Sequence, residues 1–160
     1  AGPYMQGRQV IAVAADSDIY ALADLTDKVV AVQSASTSEK VFLDDFVDEA
    51  SLPRVGLLYC LQDRSLLYPM LANGYVDAIA GYNIVIQKYM TDYGMDFRIL
   101  EEPLQMVNLG FAFALNDSRG IDVRLDDALS EMYADGTLES IASKYLSAAS
   151  SFLGVDAHVC

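Results

Sequence analysis

Apolar residues come along this chain in short runs, separated by polar, glycine- or proline-bearing breaks. Gln9 to Ala15 (Gln-Val-Ile-Ala-Val-Ala-Ala) predicts a strand closed by the polar turn Asp16-Ser17-Asp18, and Leu22 to Leu25 predicts a single helical turn. Val29 to Val32 is a β-branched run that suits a buried strand. The next stripe belongs to a helix that reaches about Glu49 and is broken by Ser51-Leu52-Pro53. Val55 to Leu61 predicts a strand, about Asp63 to Ala72 a helix stopped by Asn73-Gly74, and Val76 to Ala80 another strand. Asn83 is placed to cap a helix that ends at Gly94, and Phe97 to Leu100 is a further strand. Strand and helix therefore alternate from Lys28 to Leu100, which marks an α/β fold with a mostly parallel sheet and helices on both faces. Val107 to Leu115 then predicts one long strand, followed by helices from Gly120 or Ile121 to about Ala134 and from Leu138 to about Leu146. Ser147 to Cys160 is small and mixed, and is expected to be a flexible or docking tail.

Composition narrows the class. The 160 residues are enough for one ordinary domain with a sizeable core, and the 53% apolar fraction argues against disorder. No apolar run is long enough to span a membrane. No signal peptide is visible, and Ala1-Gly2-Pro3-Tyr4 reads as a start in mid-protein, so any targeting segment is expected to be removed or to lie upstream. The net charge of −13 disfavours nucleic acid and anionic membrane surfaces, both of which need clustered Lys and Arg. With two cysteines, Cys60 and Cys160, and one histidine, His158, no zinc cluster is supported and no cofactor is expected. A Cys60–Cys160 disulfide is open, since the sequence carries no distance.

The stretch Lys28 to Glu39 carries the chemistry. Its strand stops at the small, hydroxylated Ser34 to Thr37, where a helix opens with Ser36 or Thr37 as cap and Glu39 in the capping-box position. A helix start leaves backbone N–H groups unpaired, and such amides with neighbouring hydroxyls suit a carboxylate or other small anion. An ordinary capped strand–loop–helix satisfies the same pattern. Arg54 and Arg64 are candidate anion binders that read first as solvated arginines, and Glu101-Glu102-Pro103 is a candidate carboxylate pair that reads first as a turn. Asp77 reads as a structural residue, and Tyr59, Tyr68, Tyr75, Tyr89 and Tyr93 are candidate cleft residues that read mostly as half-buried packing residues.

The order of motifs resembles the C-terminal part of a type 2 periplasmic-type solute-binding protein, of the family that serves polar amino-acid uptake transporters. The residues carrying this are Pro3-Tyr4 with Val10 to Val13, Leu22 to Leu25 with Lys28 to Gln33, and the loop Ser34 to Thr37. Leu71 to Gly74 with Val76-Asp77-Ala78 follow, then Leu109 to Phe113, then Leu129 through Tyr145 with Asp135-Gly136-Thr137-Leu138. The resemblance implies a periplasmic-binding-protein-like (type 2) fold of two lobes joined by two crossing strands that close around a ligand. Residues 1–15 would be the first crossing strand and hinge, and 16–106 the second α/β lobe. Residues 107–146 would be the second crossing strand with the C-terminal helices of the first lobe, and 147–160 the tail. Most of the first lobe would lie upstream. The strand at Val107 to Leu115 would then expose an apolar edge, which implies a homo-oligomer or swapped dimer.

By the same resemblance, Gln33, Ser34, Ser36, Thr37 and Ser38 would hold the ligand carboxylate, with Ala35 where the family carries a glycine. Tyr82 stands where members that grip an α-ammonium usually place an aspartate, and it brings no formal charge near neutral pH. The implied function is non-enzymatic binding of a small amino-acid-like, carboxylate-bearing solute in an extracytoplasmic (periplasmic or cell-surface anchored) setting. Its partner would be a transporter permease or a fused signalling domain. The alternatives are an enzyme on the same scaffold, of dehydratase or cell-wall lytic type, and a degenerate lobe serving protein contacts. The first of these needs a poised acid or base, which the sequence does not offer.

Overall fold

The computed structural model describes residues 2–43, 54–146 and 153. The end of the helix expected to reach Glu49, and the tail with His158 and Cys160, lie outside the described residues. The chain divides into two compact units, one of Arg8–Met106 and one of Ala1–Gly7 with Val107–Cys160.

The larger unit is built on one sheet. Its strands are β1 (Met5–Ala14, which starts in the other unit), β2 (Val29–Gln33), β3 (Leu57–Leu61), β4 (Ala78–Tyr82) and β5 (Phe97–Ile99), in the order β3-β2-β4-β1-β5. β2 runs parallel to β3 and β4, whereas β1 is antiparallel to both its neighbours, with Gln9 opposite Tyr82 and Ala12 opposite Ile79 and Ile99. The expected first crossing strand is thus a full member of this sheet, hydrogen-bonded on both sides. β6 (Gln105–Leu109) also pairs with β1, off that path.

Both faces of the sheet are covered, which is why its strands read as continuous apolar runs rather than as alternating ones. On one face Val10, Ala12, Ala31 and Ile79 pack with Leu67, Tyr68 and Leu71 of α2 (Leu67–Ala72) and Ile86 of α3 (Asn83–Tyr93). On the other, Ile11, Val13, Val30, Val32, Ala78 and Ala80 pack with Ile19, Leu22, Leu25 and Leu100, with Phe42 of α1 (Thr37–Leu43) against them. Burial of each such branched side chain contributes roughly 1.5–3 kcal/mol, so these two layers dominate the unit's stability. A 3₁₀ turn at Arg64–Leu66 precedes α2, where the sequence predicts an unbroken helix from about Asp63.

Two expectations are corrected here. Asn83 is the first residue of α3 rather than its cap; Tyr82 is in the cap position with extended geometry, and the Asn83 side chain instead accepts the Arg8 N–H at 3.2 Å. The long strand expected over Val107 to Leu115 ends at Leu109, and residues 110–114 carry no regular structure.

In the smaller unit Tyr4 stacks on Phe111 at 4.9 Å, its N–H donates to the Leu109 carbonyl at 2.9 Å, and Gln6 Nε2 donates to Asn108 Oδ1 at 3.1 Å. Its helices α4 (Ile121–Ala134) and α5 (Thr137–Ala142) contain no buried residue; Val123 and Tyr133 are more than half exposed, and Ile141 nearly half.

Candidate functional site

Because β2, β3 and β4 are mutually parallel, their carboxyl ends, at Gln33, Leu61 and Tyr82, meet along one edge of the sheet. That edge is where open α/β sheets hold their ligands. Here a narrow cleft of about 90 Å³ is lined by Gln9, Gln33, Ser36, Ser38, Arg64, Tyr68 and Tyr82 over an apolar floor that includes Ile79 and Ile86. It shares Gln33, Arg64, Tyr68 and Val85 with an open hollow of about 400 Å³, also lined by Gln62, Asp63, Ser65 and Tyr89.

The loop after β2 is held locally. Ser34 N–H donates to the Leu61 carbonyl at 2.8 Å, which ties the loop to the end of β3. Ser36 Oγ accepts the Glu39 N–H at 3.2 Å, and the Glu39 carboxylate accepts the Ala35 N–H at 2.6 Å. This is a capping box shifted by one residue, since its acidic half takes the amide of Ala35 instead of that of Ser36. Ala35 has φ of 56°, in the left-handed region that glycine occupies at least cost. Cys60 on β3 is exposed and lies against the same carboxylate; desolvation, then the hydrogen bond to Glu39 and its charge, push the thiol above its ordinary range.

Of the six residues singled out in the sequence, Gln33, Ser36, Ser38 and Tyr82 line the cleft. Ser34 is half-buried and Thr37 is exposed at the first position of α1, and neither lines it. Ser38 is buried, and its hydroxyl donates to Gln9 Oε1 at 2.7 Å. The Tyr82 ring is half-buried and its hydroxyl oxygen is enclosed. Asp77 is structural, its carboxylate accepting the Val29 N–H at 2.7 Å, and Glu102 accepts the Leu22 N–H at 3.1 Å.

Gln9, Arg64 and Tyr68 also line the cleft, and none was among the six site residues expected from the sequence. Gln9 reads only as the polar first residue of a predicted strand, close to Gln6 and Arg8, until the sheet order brings β1 to this edge. Arg64 reads as a solvated arginine until β3 places it at the sheet edge. Tyr68, expected to be half-buried, is buried, and stacks on Tyr89 with ring centres 3.6 Å apart, while Tyr89 stacks on Tyr93 at 4.3 Å. Burial pushes the Tyr68 phenol up, against the opposing pull of Arg64.

The site thus offers amide and hydroxyl hydrogen-bonding groups, aromatic walls and one guanidinium. Among the described residues no group of three or more His, Cys, Asp or Glu is disposed to hold a metal ion, and no helix is long and apolar enough to cross a membrane.

No family model matches the chain. The glutamate-binding protein GluB of Corynebacterium glutamicum is 29% identical over 153 residues, covering 91% of this chain and 49% of the relative. A putative amino-acid ABC transporter-binding protein, PatH, of Vibrio harveyi is 26% identical over 150 residues, covering 92% of this chain and 58% of the relative. Among solved structures, the probable amino-acid ABC transporter extracellular-binding protein ytmK of Bacillus subtilis superposes with a TM-score of 0.77 at 22% identity, over 91% of this chain and 62% of that one. The chain thus spans about half the length of the first of these relatives. Its fold is that of the type 2 periplasmic-binding proteins, and by sequence it is related to the amino-acid solute-binding proteins of ABC transporters.

Proposed function

We propose that this chain, as a relative of amino-acid solute-binding proteins, is the ligand-gripping part of an extracytoplasmic binding protein for a small, carboxylate-bearing, amino-acid-like solute. The observation that carries the reading is the convergence of Gln33, Ser36, Ser38 and Tyr82 on one cleft at the carboxyl ends of parallel strands. In this reading residues 16–106, with β1 built into their sheet, are the second lobe. Residues 107–146 contribute the second crossing and the C-terminal helices of the first. The solute's carboxylate is held at the Gln33–Ser38 loop and its other end faces Tyr82. Delivery to a transporter is favoured over use as a sensor, because one relative is named a putative amino-acid ABC transporter-binding protein and ytmK a probable one.

The test is a thermal-shift panel of L-amino acids, small peptides and organic acids on this chain and on a version extended at its N-terminus. A ligand at about a hundred times its dissociation constant adds roughly 2.7 kcal/mol of stability. A shift with carboxylate-bearing solutes, lost on Gln33→Ala, is expected; silence of both proteins across the panel would sink the reading. Self-association is part of the same proposal, since α4 and α5 contain no fully buried residue among the described ones. Light scattering across a concentration series should show a species heavier than one chain.

A further inference from the structure

We propose that Arg64 is a second anion grip in this site, which selects solutes carrying a negative charge remote from the first carboxylate. The proposal deepens the amino-acid-binding reading and rests on it.

Position comes first. Arg64 opens the 3₁₀ turn that follows β3, three residues beyond Leu61. Leu61 is in register with Gln33 and is tied by its carbonyl to the Ser34 N–H, so the end of β3 is fixed beside the loop after β2. This arrangement puts the Arg64 side chain on the wall of both the narrow cleft and the wider hollow, with Gln33 and Tyr68. The two spaces therefore share an arginine on their walls.

Charge comes second. Among the described residues the ion pairs are Lys28–Asp18, Lys88–Asp92 and Arg119–Asp117, and Arg64 takes part in none of them. Its acidic neighbour Asp63 lines the hollow but not the narrow cleft, and forms no ion pair with Arg64; its Oδ1 accepts both the N–H and the hydroxyl of Ser65 at 2.9 and 2.7 Å. Among the described residues Arg64 is the single Lys or Arg that lines either space, on a chain whose net charge is −13. The cleft also carries Tyr82, which has no negative charge with which to hold a cation. A guanidinium fork matches a carboxylate in bidentate fashion, and a neutral amide only as a hydrogen-bond acceptor. The site is therefore built for a dicarboxylate-like solute rather than for a cationic one.

Calorimetric titration of the chain and of Arg64→Gln with L-glutamate and with L-glutamine tests this, because the two probes differ only at the remote group. The expected result is about a tenfold preference for L-glutamate in the parent chain, which is the scale of one moderate interaction. Arg64→Gln should abolish that preference by weakening L-glutamate binding about tenfold more than it weakens L-glutamine binding. Equal affinities in the parent chain, or equal losses for both probes in Arg64→Gln, would overturn the role of Arg64 and leave the amino-acid-binding reading standing. Binding of neither probe, together with a silent amino-acid panel, would overturn both. Raising the salt concentration should shrink the preference for L-glutamate faster than it weakens L-glutamine binding.

Discussion

Ser38 donates its hydroxyl hydrogen to Gln9 Oε1 at 2.7 Å, inside the protein, across 29 residues of sequence. Both side chains line the cleft and both are buried, so the bond fixes the Gln9 amide and leaves its NH₂ as what Gln9 can still offer a solute. Ser38→Ala removes the donor and strands a buried acceptor, which costs on the order of 1–3 kcal/mol. Replacing both ends by apolar groups is far less costly, so Ser38→Ala with Gln9→Met should recover much of that loss. Urea unfolding of the two single variants and the double variant gives the coupling. Additive losses would show that the pair is not coupled and that Gln9 is not held by Ser38.

Ala35 holds φ of 56° in the loop after β2, where an L side chain is strained. The strain persists because the Ala35 N–H is clamped by the Glu39 carboxylate and Ser34 is tied to Leu61. Ala35→Gly relieves it, and although glycine loses more backbone entropy on folding, the net gain should be about 0.5–1 kcal/mol. A rise in the urea midpoint without a change in slope is the expected readout. A fall would mean that the loop does not hold this conformation in solution.

The fold was legible wherever tertiary context agreed with local pattern. Val29 to Val32 and Val10 to Val13 read as buried strands because both faces of the sheet are covered, and Gly94 stops α3 in the left-handed conformation that its type favours. Local pattern misled where a distant partner intervened. Asn83 has the chemistry of a cap, but its carbonyl oxygen is taken by the N–H of Arg8, 75 residues away. Val107 to Leu115 is mostly apolar, and apolarity alone does not say where a ladder partner ends; the strand stops at Leu109, before Gly110. At the site, residues next to the β2 loop were legible because they are adjacent in sequence. Gln9, Arg64 and Tyr68 were not, because the sheet order that brings β1 and β3 to the same edge is a property of the assembled fold.

Asp24 gives the larger unit an acid sensitivity. Its carboxylate accepts the N–H groups of Tyr20 and Ala21 at 2.9 and 3.0 Å, and the Tyr20 bond, followed by that of Ala21, holds its pKa below the usual aspartate range. A depressed folded-state pKa means that the unfolded chain takes up the proton first as pH falls. The stabilisation is complete above the ordinary aspartate value and is lost as pH drops through the lower folded value. Asp24→Asn should therefore flatten the dependence of the urea midpoint on pH in the acid range and leave the parent's acid slope as the steeper of the two. Identical slopes would assign the acid sensitivity to other carboxylates.

Cys60 is exposed yet its thiol is held above its usual pKa, first by desolvation and then by the hydrogen bond and negative charge of Glu39. The thiolate is the nucleophile, so alkylation by iodoacetamide at pH 8 should be slower than that of a free thiol although Cys60 is exposed. Glu39→Gln removes the charge and should accelerate alkylation and shift its pH profile to lower pH. A Cys160→Ser background isolates the signal to Cys60. The same variant weakens the acceptor of the Ala35 N–H, so the loop should lose stability while the thiol gains reactivity. Opposite movements of the two readouts would identify one carboxylate serving both groups. An unchanged alkylation profile in Glu39→Gln would show that Glu39 does not govern the thiol.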